Sequence, residues 1–123
     1  MLNVLILDND PRRHQLLKRE ACSIVGACSP IFARTVEEGE EALLLKSRWD
    51  LLMLDHDLDG RVYVDSHDPT TGYQVAKFIV SNKIEFDRCI LHSLNEEGAR
   101  NMGRLLKENC GGSINYVPVI RMV

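Results

Sequence analysis

Short apolar segments alternate with amphipathic segments along the whole chain, and this alternation limits the fold more than any other feature of the sequence. The apolar segments are mostly unbroken, which is typical of strands that are buried on both faces. They are residues 2–7, 31–33, 51–54, 89–91 and 114–117. Strands that alternate with helices predict a parallel sheet covered by helices on both faces, and we expect the flavodoxin-like strand order 2-1-3-4-5.

The segments between the strands carry start signals for helices. Asp10 followed by Pro11 predicts an N-cap and a first helical residue. A serine or threonine followed three residues later by Glu or Gln is a capping box, and such boxes predict the other helix starts. They are Thr35–Glu38, Thr71–Gln74 and Ser93–Glu96. Residues 56–70 form a long polar loop, a kind of segment that is usually functional or mobile.

The fifth strand leaves too little chain for a further helix. Only residues 118–123 follow it, so the fifth helix that usually completes this strand order is expected to be missing or vestigial. The sheet face beside the fifth strand is then open, and we predict a homodimer that covers it. The 123 residues are one domain's worth of chain, so a single domain over residues 1–123 is expected.

Composition and charge argue against several function classes. No apolar run approaches the ~20 residues of a membrane span, and residues 1–8 lack the basic start and cleavage site of a signal peptide. The 4 cysteines have neither CxxC spacing nor a dense framework, which predicts reduced thiols in a cytoplasmic protein. A net charge of −3 argues against an extended nucleic-acid surface, but it is compatible with binding one nucleotide or one RNA end.

The same pattern of four apolar residues followed by Asp-x-Asp ends the first and the third strands. It places Asp8 and Asp10 after one strand, and Asp55 and Asp57 after the other. These strands are neighbours in the expected order, and ligands of such sheets bind at the carboxyl ends of the strands. We therefore expect the carboxylates to converge at one edge of the sheet.

A convergent carboxylate cluster needs a positive charge, because like charges at close range raise one another's pKa. A divalent cation bound by carboxylate oxygens supplies it, and Mg²⁺ or Mn²⁺ fits these ligands. The alternative is that the aspartates cap helices and turn the chain, and this alternative is strong for Asp10, which precedes Pro11. Arg12 and Arg13 lie beside the cluster, where an arginine can contact a phosphate.

Two histidines add acid–base chemistry to the same edge. His92 and Ser93 follow the fourth strand, next to the third strand in the expected order, and His56 lies between Asp55 and Asp57. Histidine titrates near neutrality and serves as a general acid, a general base or a metal ligand. Histidines beside an acidic cluster at a strand edge predict a functional site.

The arrangement resembles the receiver domain of response regulators, which implies a CheY-like three-layer fold. The resemblance rests on the acidic cluster after the first strand, on Asp55 at the phospho-acceptor position, and on the hydroxyl residue Ser93 after the fourth strand. Receivers carry a lysine after the fifth strand, where residues 115–119 of this chain contain none. The second acid of the receiver's acidic pair falls on Asn9, for which Asp10 is the substitute.

The chain resembles more closely a receiver offshoot named for cyclic-phosphate processing. Its motifs match in order, at Leu54–Leu58, Thr71–Tyr73 and His92–Met102. The resemblance implies metal-assisted processing of cyclic phosphates, such as the 2′,3′-cyclic ends left by RNA cleavage.

On this hypothesis the protein is a divalent-metal phosphoesterase. Asp8, Asp10 and Asp55 hold the metal, which polarises a phosphoryl oxygen and activates a water. His56 and His92 act as general base and general acid, in an order that the sequence leaves open.

Asp57 orients one of the histidines or joins the metal shell. The candidates for contacts to phosphate oxygens are Thr71, Ser93, Asn95, Arg12 and Arg13. The expected ligand is a small phosphorylated or cyclic-phosphate molecule, or an RNA end. The alternative, from a different class, is an atypical receiver or adaptor domain that is phosphorylated on Asp55 and has no output domain.

Overall fold

Parallel strands form one sheet in the order 2-1-3-4-5 in the computed structural model, which describes residues Met1–Val123. The strands are β1 (Val4–Leu7), β2 (Ile31–Ala33), β3 (Arg48–Leu54), β4 (Glu85–Leu91) and β5 (Ser113–Tyr116). β1 and the carboxyl halves of β3 and β4 are buried, since both faces of the sheet are covered. The predicted fold class and strand order are confirmed.

Helices cover the sheet on both sides and complete a three-layer arrangement. They are α1 (His14–Val25), α2 (Val36–Leu43), α3 (Gly72–Ser81) and α4 (Glu96–Asn109). Leu17 and Ala21 of α1 pack with Ile6 and Met53 on one face of the sheet. The other three helices pack on the opposite face and bury a larger core of 20 residues. None of the helices has the length and hydropathy of a membrane span.

Two helix starts match their predicted caps. Asp10 caps a short 3-10 helix, Pro11–Arg13, that leads into α1, and its carboxylate accepts a hydrogen bond from the Arg12 amide at 2.9 Å. Thr35 caps α2, and its hydroxyl accepts a hydrogen bond from the Glu38 amide at 3.1 Å. Both caps satisfy backbone N–H groups that have no partner inside the helix.

The other two capping boxes are wrong in detail. The Thr71 hydroxyl makes no bond to the amides of α3 and donates instead to backbone carbonyls of the preceding loop, among them that of Ser66. Asn95, and not Ser93, caps α4, because its side-chain oxygen accepts a hydrogen bond from the Gly98 amide at 2.9 Å. In both places the neighbouring loop offers hydrogen-bond partners that a pattern of four residues does not take into account.

β3 and β4 begin earlier than the apolar runs predicted. Their first residues, Arg48 and Glu85, pair with each other in the register of the two strands. A search for apolar runs misses such residues, because an exposed strand end pairs through its backbone whatever side chains it carries.

A 3-10 turn, Val119–Met122, follows β5, and the four helices of the structure are consistent with the missing or vestigial fifth helix that the sequence predicts. Val119 packs into the core that α1 covers. Arg88 pairs with Ser113, and Asn115 lies on the same face of the neighbouring strand. These positions, on the side of the sheet that α1 only partly covers, are exposed and polar. The homodimer at this face stays a prediction.

Candidate metal and phosphate site

Asp8 and Asp55 lie side by side at the carboxyl edge of the sheet. Each directly follows its strand, and the last residues of β1 and β3, Leu7 and Leu54, pair in register. The Asp55 amide continues this pairing by donating to the Leu7 carbonyl at 3.0 Å. The relative exposure is 0% for Asp8 and 4% for Asp55. The strand register therefore brings two carboxylates together inside the protein, which is where the repeated Asp-x-Asp pattern places them.

His92 completes this cluster from the end of β4. One ligand atom each from Asp8, Asp55 and His92 lie within 4.8 Å of one another. Nε2 of the buried His92 ring lies 3.0 Å from Asp8 Oδ2. Nδ1 of the same ring has no hydrogen-bond partner. With its proton on Nε2, His92 donates to Asp8 and fixes the orientation of that carboxylate.

Arg13 supplies positive charge between the two carboxylates. Its Nη2 atom lies 2.9 Å from Asp8 Oδ1 and 3.5 Å from Asp55 Oδ2. The Nε atom of the same guanidinium is buried and has no hydrogen-bond partner. Arg13 thus bridges the two carboxylates, where a cation bound to both would also lie. The sequence placed Arg13 beside the cluster, but not between its members.

The two carboxylates have opposite pKa shifts. Burial raises the pKa of Asp8, but the hydrogen bond and charge of His92, the Asp10 amide and Arg13 together outweigh it, so the pKa is lowered. Burial raises the pKa of Asp55, and the charge of Asp8 adds to this effect against the opposing charges of His92 and Arg13. Neighbouring carboxyl groups whose pKa values are pushed apart are a common mark of a functional site.

A polar cleft of about 370 Å³ opens beside Asp55. Six of the predicted site residues line it: Asp10, Asp55, Asp57, Arg12, Arg13 and Ser93. The other lining residues include Asn9, Leu94 and, from the 56–70 loop, Arg61, which was not predicted from the sequence. The cleft therefore joins the ends of β1, β3 and β4 to the start of α1. A ligand in it would meet three arginines, Arg12, Arg13 and Arg61, and the Ser93 hydroxyl.

Asp10 lines the cleft but does not join the buried cluster. Its carboxylate accepts hydrogen bonds from Nε and Nη2 of Arg12, both at 3.0 Å, in addition to its bond to the Arg12 amide. These contacts to Arg12 lower the pKa of Asp10 to about 2. The cap that the sequence offered as the alternative for Asp10 is therefore present, and its role as a metal ligand stays a prediction.

His56 lies behind the cleft and does not line it. Its Nδ1 atom lies 2.7 Å from Asp57 Oδ1, and its Nε2 atom lies 2.9 Å from Ser66 Oγ. α4 packs directly on the buried ring, since a Cβ atom at Gly98 would lie 2.5 Å from it. The sequence suggested that Asp57 orients one of the histidines or joins the metal shell. In the structure Asp57 pairs with His56 and lines the cleft, while the His56 ring lies behind it.

Asp57, His56 and Ser66 form a carboxylate–imidazole–hydroxyl chain like that of a hydrolase triad. Ser66 is only 7% exposed, however, and its hydroxyl also accepts a hydrogen bond from Asn101 of α4 at 3.0 Å. The Ser66 hydroxyl is therefore buried and bonded to both His56 and Asn101, so it fastens the 56–70 loop to α4 and is not a free nucleophile. The parts played by Ser66 and Asn101 were not predicted from the sequence, and Gly98 was noted only as a position of the His92–Met102 motif.

Asn95 and Thr71 do not reach the cleft either. Asn95 caps α4 with its oxygen, and its amide nitrogen donates to Asp57 Oδ1 at 3.2 Å. Thr71 is completely buried and holds the loop that precedes α3. Both side chains support the site from behind, which leaves Ser93 and the three arginines of the cleft, Arg12, Arg13 and Arg61, to contact a ligand.

The donor set fits a hard divalent cation. Asp8 and Asp55 offer carboxylate oxygens, the ligand type of Mg²⁺ and Mn²⁺. A metal-bound histidine normally donates through its other ring nitrogen, and Nδ1 of His92 has no acceptor. His92 therefore suits the role of donor to Asp8 better than that of a third ligand. The buried cluster can hold a metal ion through its two carboxylates.

Known proteins share this architecture. The family model described as "Cyclic-phosphate processing Receiver domain" matches residues 3–108. Among solved structures, the chain is similar to the response regulator domain of Thermotoga maritima CheB, with a TM-score of 0.62 and 21% sequence identity. That match covers 96% of this chain and 78% of the other, and at this identity it supports the fold alone. No curated protein matches the chain.

Proposed function

Since this chain belongs to the family of cyclic-phosphate processing receiver domains, we propose that it is a divalent-metal-dependent phosphoesterase that hydrolyses cyclic phosphates. The substrate class is a 2′,3′-cyclic phosphate on a nucleotide or an RNA end. The observation that carries the proposal is the pair of buried carboxylates, Asp8 and Asp55, bridged by Arg13 beside a polar cleft. Such a site suits the joint binding of a cation and a phosphate.

Asp8 and Asp55 would hold the metal, Mg²⁺ or Mn²⁺, through carboxylate oxygens. When bound, the metal polarises a phosphoryl oxygen and lowers the pKa of a water. His92 keeps Asp8 in place through Nε2. Arg13 gives up its contacts to the carboxylates once a cation neutralises them, and its guanidinium then binds phosphate oxygens in a bidentate manner.

Residues on the cleft wall carry out the rest of the reaction. Ser93 Oγ accepts a hydrogen bond from the Asn95 amide at 3.0 Å and donates its own proton to a phosphate oxygen. Asp57, held by His56 and Asn95, accepts the proton of the attacking water. The water oxygen bonds to phosphorus and one P–O bond of the ring breaks. The ribose oxygen that leaves takes up a proton from solvent, to which Asp57 returns the proton that it accepted.

A receiver or adaptor role is the second candidate, and the position of Asp55 favours it. Asp55 follows β3, as the phospho-acceptor does in the receivers that the chain resembles, and the fold is that of a response regulator domain. The absence of a lysine after β5, where Val117 and Pro118 follow, speaks against it. In this role the Asp55 carboxylate forms an acyl phosphate that a partner recognises.

³¹P NMR of the purified protein with a 2′,3′-cyclic nucleotide separates the two candidates. We expect the cyclic-phosphate signal to convert to a monoester signal with Mg²⁺ or Mn²⁺, and to stay unchanged with EDTA. Asp55→Asn is the matched control, because it keeps the side chain's shape and removes its charge, and it should be inactive. A stable acyl phosphate on Asp55 after treatment with a small phosphodonor, without turnover of the cyclic substrate, would favour the receiver role. Turnover that persists in EDTA or in Asp55→Asn would contradict the proposed mechanism.

A further inference from the structure

A pair of thiols lies at the end of α1 that is remote from the candidate site. Cys22 lies in α1, and Cys28 lies in the loop between α1 and β2. Their sulfur atoms are 3.3 Å apart, and the Cys22 sulfur also lies 3.7 Å from the Cys28 carbonyl oxygen. Gly26 ends α1 with a φ of 94°, a conformation that suits glycine, and the turn there brings Cys28 back beside Cys22.

This geometry is close to that of a disulfide. A disulfide bond is about 2.05 Å long, so the two sulfur atoms need to approach each other by only about 1.3 Å. Residues 26–30 have no regular secondary structure, and their exposed or half-buried loop can absorb this movement. Cys22 and Cys28 are both half-buried and within reach of a small molecule, whereas Cys89 is completely buried.

We propose that Cys22 and Cys28 form a redox-active dithiol that closes to a disulfide by exchange with a small disulfide such as oxidised glutathione. The thiolate of one cysteine attacks the small disulfide, a mixed disulfide forms and one small thiolate leaves. The second cysteine then attacks the sulfur of the first, and the second small thiolate leaves. The two protons of the protein thiols end on the two small thiols, so the dithiol is oxidised and the small disulfide is reduced.

The disulfide between Cys22 and Cys28 is favoured by the short distance between the two sulfur atoms, and not by a high reactivity of the thiolates. Burial and the neighbouring Cys22 thiol raise the pKa of Cys28 to about 11, against the opposing charge of Lys18. Cys28 is therefore almost entirely a thiol at neutral pH, and its part in the exchange is slow. The adjacent sulfur makes ring closure intramolecular, so the mixed disulfide does not accumulate. The closed ring fastens the end of α1 to the chain that enters β2.

Peptide mapping of the folded, full chain tests this directly. Both cysteines lie in one tryptic peptide, Glu20–Arg34, because no Lys or Arg lies between them. After treatment with oxidised glutathione and alkylation of the remaining thiols, we expect this peptide to lose two hydrogen atoms and to carry neither glutathione nor an alkyl group. Dithiothreitol should reverse the change. Cys22→Ser should trap a glutathione adduct on Cys28, while Cys110→Ser, which replaces the other half-buried cysteine, should leave ring closure unchanged.

A comparison with the chain unfolded in urea shows whether the fold sets the reaction. In a series of glutathione redox buffers, the folded protein should be half oxidised at a ratio of oxidised to reduced glutathione about tenfold below that of the unfolded chain. Equal ratios would overturn the proposal. A stable glutathione adduct on Glu20–Arg34 of the folded wild-type protein would overturn it as well.

Discussion

Replacing Arg13 by methionine should strengthen the binding of a divalent metal while it abolishes an important phosphate contact. Arg13→Met keeps much of the side chain's length and removes the charge that lies 2.9 Å from Asp8 and 3.5 Å from Asp55. In the metal-free protein this guanidinium neutralises the same carboxylates that a metal would bind. A cation therefore has to displace it, and the variant removes that competition.

The size of the effect follows from the charges involved. Two unit charges 4 Å apart attract each other by about 4 kcal/mol at an effective dielectric constant of 20. The Arg13 side chain is 28% exposed, so solvent screens part of this attraction, and the displaced guanidinium regains contacts with water. We therefore take about a third of the Coulomb value, or about 1.4 kcal/mol, which corresponds to about tenfold tighter metal binding.

Isothermal titration calorimetry of the metal-free protein with Mn²⁺ measures this change without any need for turnover. Arg12→Met is the matched control, because Arg12 is 88% exposed and pairs only with Asp10. A surface ion pair contributes little, so this control should alter the affinity by less than about threefold. Competition between Arg13 and the metal is refuted if Arg13→Met binds Mn²⁺ no more tightly than the wild-type protein does. It is also refuted if Arg12→Met and Arg13→Met change the Mn²⁺ affinity equally.

Three further outcomes follow from the site and its supports. Asp55→Asn should raise the thermal midpoint of the metal-free protein at neutral pH, because burial and the charge of Asp8 raise the pKa of Asp55 and make its ionised form costly. This gain in the thermal midpoint should shrink as the pH falls through the raised pKa of Asp55, because the Asp55 carboxyl of the folded wild-type protein then becomes protonated and neutral. Gly98→Ala should destabilise by about 1–3 kcal/mol in urea titrations, since the added methyl group meets the His56 ring, although alanine normally favours a helix. His92→Asn should reduce cyclic-phosphate turnover about 10–100-fold with an unchanged circular dichroism spectrum, and full activity would exclude His92 as the residue that holds Asp8.

The strand order could be predicted because it depends on patterns within short segments. Apolar runs buried on both faces mark the strands of a parallel sheet, and the alternation with helices restricts their order. The strand starts at Arg48 and Glu85 could not be predicted in the same way, since both residues are charged and exposed and belong to no apolar run, although they pair in the strand register and their side chains form an ion pair at 3.6 Å. The side chains of Thr71 and Asn95 also bond to carbonyl oxygens of the 56–70 loop, in contacts that the local pattern does not contain.

The convergence of Asp8 and Asp55 could be predicted because both directly follow paired strands. The position of the His56 side chain could also have been predicted from the sequence. Successive residues of an extended segment point to opposite sides, so His56 cannot share one side with both Asp55 and Asp57. The sequence placed all three residues in one cleft, whereas the structure turns the histidine toward α4.

Individual side-chain contacts between distant segments could not be predicted from the sequence. Arg13 bridges carboxylates from two strands, and the separation of 42 residues between Arg13 and Asp55 gives no local pattern to read. The link from Ser66 to Asn101, which fastens the long loop to α4, spans 35 residues and is equally hidden. Such contacts depend on how helices dock on the sheet, which single-sequence patterns do not specify.

Electron paramagnetic resonance of Mn²⁺ is the most direct test of the central claim, that Asp8 and Asp55 form a divalent-metal site. Addition of metal-free protein to Mn²⁺ should reduce the signal of the free aqueous ion with a stoichiometry of one, and excess Mg²⁺ should restore it. Asp8→Asn and Asp55→Asn should each leave the free-ion signal almost unchanged. Loss of the signal in both variants, or no loss with the wild-type protein, would contradict the account.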